Sequence, residues 1–335
     1  MTLPEPIRHA TSGRTRRQLL ASALAAACCM AAWPEARADG YPDRPLRILV
    51  PFGDGSGTDV VARLIGDELR GTLGVPVTID NRPGASGILG VEAAVKSPAD
   101  GYTLLLTTVT TVSANPFLFR KLPYDPVKQL QPIVNLVETQ MVLLVRPDAP
   151  WQSVRELGDW LRSHPAQASF GYGSGVSQIA GASFATRLDA PATAVSYKSS
   201  PQALTDLMGG QFPFMFLDMT TATAQVKAGR VRALAVSGEQ RLAALPDVPT
   251  LIEAGLPGFS LLAWCGVFAP AGTPQPVIDR LSQALLAIAA RPEVREKLSV
   301  AGVVAPMPPA AFTDYLARQR IEWGRKIAEA GIQPE

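Results

Sequence analysis

Two stretches of the chain carry the same pattern of apolar and polar positions. In the first, the apolar run Leu46 to Phe52 predicts a strand, and the loop Gly53-Asp54-Gly55-Ser56-Gly57-Thr58 interrupts it. Apolar positions at helical spacing then predict an amphipathic helix opening at Asp59 and running to Leu73. In the second, a strand from Ala168 to Tyr172 runs into Gly171-Tyr172-Gly173-Ser174-Gly175, and a helix is predicted from Ser177 to Leu188. A strand that feeds a glycine loop into a helix leaves backbone N–H groups unpaired at the positive end of the helix dipole. Such a place holds anions. The two loops are expected to face each other across a cleft and hold one small ligand.

The same alternation continues along the chain. Strands are predicted at Val75 to Ile79, Thr103 to Thr107, Met141 to Val145, Thr193 to Tyr197, Phe212 to Leu217, Val231 to Val236 and Leu261 to Phe268, with helical stretches between most of them. Ser153 and Glu156 have the spacing of a capping box for a helix to Ser163. Another helix opens at Pro201 and closes at Gly209-Gly210. Val277, Leu281, Leu285 and Ile288 mark one C-terminal helix face, and Phe312, Leu316, Trp323 and Ile327 mark a second. This order predicts an α/β protein with parallel sheets, whose ligands gather at the carboxyl ends of the strands. Two crossings between two α/β lobes make a hinged clamshell. The expected division is 39–143 for the first part of lobe 1, 144–261 for lobe 2, and 262–335 for the return to lobe 1 with the C-terminal helices.

Residues 1–38 change the charge picture. A basic region ending in Arg16-Arg17 precedes an apolar run to Ala32 and an Ala36-Arg37-Ala38 cleavage site, the pattern of a secretory signal. The paired arginines suggest the twin-arginine route, with general secretion as the alternative. Removing these residues leaves 26 cationic against 27 acidic side chains, so no basic face for nucleic acid is implied. Cys265 is then the one remaining cysteine and reads as a small buried hydrophobe. The expectation is a periplasmic monomer.

Catalytic constellations are missing at the expected spacings. A hydrolase elbow needs glycine two residues on either side of serine, and Ser56 and Ser174 are preceded at that distance by Asp54 and Tyr172. No His/Cys cluster suits a transition metal, and no acid spacing reads as a calcium loop. No cofactor and no enzyme activity are expected. The rival is a dinucleotide fold, because Gly53 and Gly55 follow a strand and Asp80 ends the next one. However, the third glycine of that fingerprint falls at Thr58. An exported nucleotide-dependent oxidoreductase and a ligand sensor for a membrane kinase stand as alternatives.

Several short motifs then carry a resemblance. Tyr41-Pro42-Asp43-Arg44-Pro45, Asn81-Arg82-Pro83-Gly84-Ala85, Asp100-Gly101-Tyr102-Thr103-Leu104, Leu122-Pro123-Tyr124-Asp125-Pro126, Leu245-Pro246-Asp247-Val248-Pro249-Thr250 and Ala269-Pro270-Ala271-Gly272-Thr273-Pro274 resemble the Bug (TctC) family. These are the extracytoplasmic solute receptors of tripartite tricarboxylate transporters. The resemblance implies a type II periplasmic binding-protein fold that closes on a small carboxylate; the expected partners are a small organic acid, amino acid or amide and a membrane permease. It places ligand-binding residues at Phe52, Gly53, Asp54, Gly55, Ser56, Thr58 and Asp59, at Thr107, Thr108 and Val109, at Gly173, Ser174, Gly175, Ser177 and Gln178, and at Asp218. Asp54 departs from the family pattern. Like charges at ~4 Å repel by about 4 kcal/mol at an effective dielectric near 20. An Asp54 turned inward would therefore select a ligand with an ammonium, amide or neutral polar end. The alternative is an Asp54 that turns outward or caps the helix.

Overall fold

The computed structural model describes residues 40–335, and the secretory signal expected at 1–38 lies outside the described residues. The sheet is organised by one strand that crosses the molecule. β1 (Leu46–Val50), β2 (Val77–Asn81) and β3 (Thr103–Thr108) are parallel neighbours, joined through α1 (Gly57–Leu73) and α2 (Ile88–Val95). β4 (Leu130–Val145) runs for 16 residues. Up to Gln140 it pairs with β9 (Leu262–Pro270), and from Met141 onward with β7 (Phe214–Asp218) and β8 (Arg232–Val236). β7 continues the second lobe in parallel with β5 (Ser169–Tyr172) and β6 (Thr193–Ser196). Residues 40–335 form one compact unit.

Three features depart from the sequence reading. The crossing strands β4 and β9 run antiparallel to their neighbours, so the sheet is mixed rather than parallel. β4 begins 11 residues before Met141, because its first part, including Ile133, Leu136 and Val137, is buried under the first lobe. A strand at Val303–Met307, β10, pairs with β4 inside a region read as helical; its half-buried residues lack a clear two-residue alternation. The helical faces hold up better. α3 (Val154–Ser163) is opened by Ser153, whose Oγ accepts from the Glu156 N–H at 3.2 Å, while Glu156 accepts from Gln152 N at 2.6 Å.

The pleat distributes β4 between two cores. Met141, Leu143 and Val145 face a layer shared with Phe214, Phe216 and Trp264, whereas Val142 and Leu144 face α5 (Ser200–Met208) and α6 (Met219–Lys227). In the first lobe, Leu46, Ile48 and Val50 pack with α1 and with α7 (Gln275–Ala290). After the short α8 (Pro292–Ser299), α9 (Pro309–Glu329) buries Phe312, Trp323 and Ile327 on the opposite layer and leaves Leu316 half-buried.

The two passages between lobes are tied together by one buried serine. Ser237 Oγ accepts from the Met141 N–H at 2.9 Å and donates to Leu261 O at 2.6 Å. Its own N–H donates to Met141 O, and its C=O accepts from Leu261 N. Ser237→Ala would leave an N–H and a C=O at the two passages without these partners. Each such loss costs about 1–3 kcal/mol. The variant is expected to lower stability by about 2–4 kcal/mol in urea unfolding with an unchanged m value; a midpoint equal to wild type would show the staple to be idle.

Candidate functional site

Four helices present their N-terminal ends to one cavity between the lobes. Ser56 caps α1, accepting from Asp59 N, and Ser174 caps α4 (Gly175–Arg187), accepting from Ser177 N. Both helices therefore begin two residues earlier than the sequence spacing suggested, with the serine as cap rather than as loop. The cavity of about 70 Å³ is lined by Phe52, Ser56, Gly57, Thr58 and Val61 from the first lobe and by Ser174, Val176, Ser200, Asp218 and Thr220 from the second. Ser200 opens α5, and Asp218 caps α6. The floor comes from the strands. Cys265 on β9 lies in register with Thr108 on β3 and Val137 on β4, and all three line the cavity. Thr110, Thr139, Met141, Ala263 and Ala301 complete it.

The lobes are closed against each other. Gly53 approaches Ser199 so nearly that a Cβ there would lie 3.0 Å from the serine Cβ. At Gly57 a Cβ would overlap Asp218 Oδ1. Val176 N donates to Thr110 Oγ1 at 3.3 Å, and Gly175 packs on Leu118 and Thr110. Gly173 has its backbone against Ser199 and Ser200, where any side chain would overlap main chain.

Of the residues expected from sequence, Phe52, Ser56, Thr58, Thr108, Ser174 and Asp218 line the cavity, and Gly53, Gly173 and Gly175 shape its lips. The others are placed elsewhere for definite reasons. Asp54 turns outward, with its side chain 80% exposed and 3.6 Å from Arg63, the outward one of the two alternatives the sequence left open. Asp59 is a brace rather than a cavity residue: its carboxylate accepts from Gly55 N at 2.9 Å, Arg63 Nε at 3.0 Å and Asn81 Nδ2 at 3.0 Å. Burial opposes its ionisation, but these hydrogen bonds outweigh it and hold the carboxyl below the usual range. Gly55 sits in the same braced turn at φ 76°.

Thr107 is fully buried and bonds Thr111 Oγ1 at 2.7 Å, and Val109 is core. Ser177 Oγ donates to Phe216 O, fixing α4 on β7, and half-buried Gln178 lies off the cavity. Sequence reasoning missed Thr139, Met141, Ser200, Thr220 and the floor residue Cys265. Ser200 carried a usable signal, since a serine pair before Pro201 repeats the strand, loop and helix pattern of the two glycine loops. Substituting Asp54 with glycine is expected to leave ligand affinity within about twofold, a difference well under 1 kcal/mol; a larger change in calorimetric titration would restore its selective role.

The electrostatics are unusual for an anion site. Among the described residues no Lys or Arg side chain lines the cavity, and Asp218 is the one acidic side chain that does. Burial pushes the Asp218 carboxyl upward; hydrogen bonds from the Thr221 N–H and hydroxyl and from the Gly57 N–H oppose that shift without cancelling it. Burial likewise pushes the Cys265 thiol up, away from nucleophilic thiolate. His164 is exposed and stacks on Trp160 at 4.7 Å. Asp80 pairs with Arg82 at 3.0 Å and Arg47 at 3.8 Å. Among the described residues no His/Cys/Asp/Glu group could hold a metal ion, and no helix is long and apolar enough to cross a membrane.

Residues 61–332 match the model of the tripartite tricarboxylate transporter family receptor. The chain is similar to the periplasmic binding protein BugD, with 32% identity and a TM-score of 0.83 over 88% of this chain and all of that one. It is similar to Rpa4515 of R. palustris, solved with adipate, at 30% identity and a TM-score of 0.85 over 88% of this chain and all of that one. MatC (Rpa3494) of Rhodopseudomonas palustris, solved with bound malate, shares 32% identity and a TM-score of 0.80 over 86% of this chain and all of that one. With two α/β lobes closing on one cavity at their strand and helix ends, the chain belongs to the tripartite tricarboxylate transporter receptor family and is a solute-binding receptor of the periplasmic binding-protein fold.

Proposed function

We propose that this receptor works in the periplasm as a monomer, captures a small organic acid or an amino acid or amide related to one, and hands it to a membrane permease. The observation that carries this reading is that Ser56 and Ser174, caps of helices on opposite lobes, line one small cavity. At roughly 10–15 Å³ per enclosed water, about 70 Å³ holds about five waters. That room suits a metabolite of a few carbons and is far too small for a dinucleotide. A carboxylate there meets helix N-terminal N–H groups and hydroxyls in place of a cationic side chain. Adipate and malate in the related structures are ligands of that chemistry. Since the cavity walls come from both lobes, ligand favours the closed form by its differential affinity for it.

Mass spectrometry of material released on denaturing the purified protein tests this directly, followed by thermal-shift measurements with the compound found. A small carboxylate is expected, and at a hundredfold over its dissociation constant it should stabilise the protein by about 2.7 kcal/mol. Release of a nucleotide, or turnover of the released compound by the protein, would overturn the reading.

A further inference from the structure

The two walls of the cavity differ in kind. The second lobe presents helix ends, with Ser174, Ser200, Asp218 and Thr220 at the N-termini of α4, α5 and α6. The first lobe presents, besides the cap Ser56, a part of its own hydrophobic core. Phe52, Val61, Val137, Cys265 and Ala301 line the cavity, are buried, and belong to the one apolar cluster that packs α1 and α7 on β1 and β3. Ala301 lies in the turn between α8 and β10, and that turn is pressed onto β4, since a Cβ at Gly302 would overlap Glu138 O. Two small side chains, Ala301 and Cys265, therefore stand where larger ones would seal the cluster from the cavity.

This wall determines what the middle of a ligand meets. Register sets Thr108, Cys265 and Val137 in one row across β3, β9 and β4. Val137 is thus two strands from Thr108, roughly 10 Å at ordinary strand spacing, and about 7 Å along β4 from Thr139. Both distances exceed hydrogen-bond reach. The threonine hydroxyls at the margin are engaged with main chain: Thr108 Oγ1 accepts from Thr110 N at 3.3 Å, and Thr110 Oγ1 accepts from Val176 N at 3.3 Å. A ligand hydroxyl over Val137 and Cys265 would face methyl groups and a thiol, which is a weak partner, and would lose its water without replacement. A methylene there gains about fourfold in affinity from its burial.

We propose that the wall formed by Val61, Val137, Cys265 and Ala301 determines specificity: this receptor selects a small carboxylate with an aliphatic body and discriminates against the same acid hydroxylated along its chain. The proposal rests on the receptor reading and narrows its ligand class. The polar ends of the ligand remain the business of the helix termini, so acids with one carboxylate or two fit it equally.

The test is a calorimetric panel on the purified protein and its Val137→Thr and Cys265→Ser variants. Three pairs are compared: methylsuccinate with malate, glutarate with 3-hydroxyglutarate, and butanoate with 3-hydroxybutanoate. Methylsuccinate and malate differ by a methyl group in place of a hydroxyl, so polarity rather than size separates them. In every pair that binds, wild type is expected to favour the aliphatic member about ten- to a hundredfold, the discrimination an apolar pocket exerts on an added hydroxyl. Either variant puts a hydroxyl into the wall at nearly constant volume, and the preference should shrink at least several-fold in one of them. Thermal unfolding without ligand checks that the variants fold, and the wild-type comparison stands without them. A wild type that binds the hydroxylated member of any pair as tightly as the aliphatic one overturns the proposal and leaves the receptor reading intact. So does a preference unchanged in both folded variants, which would show that another part of the site makes the choice. Failure of all six acids to bind wild type would strike the small-acid reading itself and the proposal with it.

Discussion

Replacing Gly57 with alanine is expected to weaken ligand binding about ten- to a hundredfold while leaving the unliganded protein as stable as before or slightly more so. The glycine is the first residue of α1, and its missing side chain is what lets Asp218 of the opposite lobe come to rest against the helix end. An added Cβ would overlap Oδ1, and Thr220 Oγ1 would lie only 3.2 Å from it. Asp218 has little freedom to yield, because Thr221 holds its carboxylate through both backbone and hydroxyl. Overpacking of this kind costs about 1–3 kcal/mol. Here the cost falls on the approach of the two lobes, since the two groups come from different ones. At 1.4 kcal/mol per tenfold, that range gives the expected loss of affinity. Within the helix itself alanine is the better residue, by up to about 1 kcal/mol. Titration calorimetry with the acid recovered from the native protein measures the first effect, and thermal unfolding without ligand the second. Unchanged affinity would mean that the lobes accommodate the methyl group and that the Gly57 contact does not govern closure.

The glycine loops were legible in the sequence because their signal is local. A strand, a glycine turn and a serine cap are adjacent in the chain, so Ser56 and Ser174 could be placed before any fold was known. Direction was not legible. Asp54 and Asp218 are both acids beside such loops, and nothing in the residues around Asp54 says that the turn braced by Asp59, Arg63 and Asn81 aims it at solvent. Its ion-pair partner Arg63 is nine residues away on the outer side of α1, whereas the partner that draws Asp218 inward, Gly57, is 161 positions away in the chain.

The cavity floor was hidden for a different reason. Thr108, Val137 and Cys265 become neighbours only through strand register across three elements. Periodicity gives each strand its buried face but not its partner, and an apolar Val or Cys reads as core in either case. The antiparallel course of β4 and β9 was invisible on the same grounds, since alternating strands and helices are compatible with strands that return in either direction once a connection crosses between lobes.

Phe312→Ala is expected to be the most damaging single core truncation in the first lobe, at about 3–5 kcal/mol. The ring is fully buried where α9 crosses the back of β9. It meets Trp264 edge-on at 5.3 Å and 89° and lies 5.3 Å from Phe268, and it occupies the space left by Gly266, where a Cβ would come within 2.6 Å of its Cζ. Gly266 and Phe312 are therefore complementary, and no neighbouring side chain can swing in to fill the gap from a residue that has none. The cavity would remain largely open, which is the condition that gives the upper part of the range. For a domain of this size each kcal/mol shifts the melting temperature by about 2–4 °C, so a fall of roughly 6–20 °C is expected. The consequence for function follows from the pleat. Trp264, Gly266 and Phe268 face α9, while the intervening Cys265 faces the ligand cavity between Thr108 and Val137. Loosening one face of β9 therefore slackens the floor on the other, and affinity should fall a few-fold even well below the melting temperature. Phe312→Leu, which keeps most of the volume, should recover most of both losses. A truncation that melted within about 2 °C of wild type would show that α9 packs on the sheet without supporting it, and the floor of the cavity would then owe its order to β3 and β4 alone.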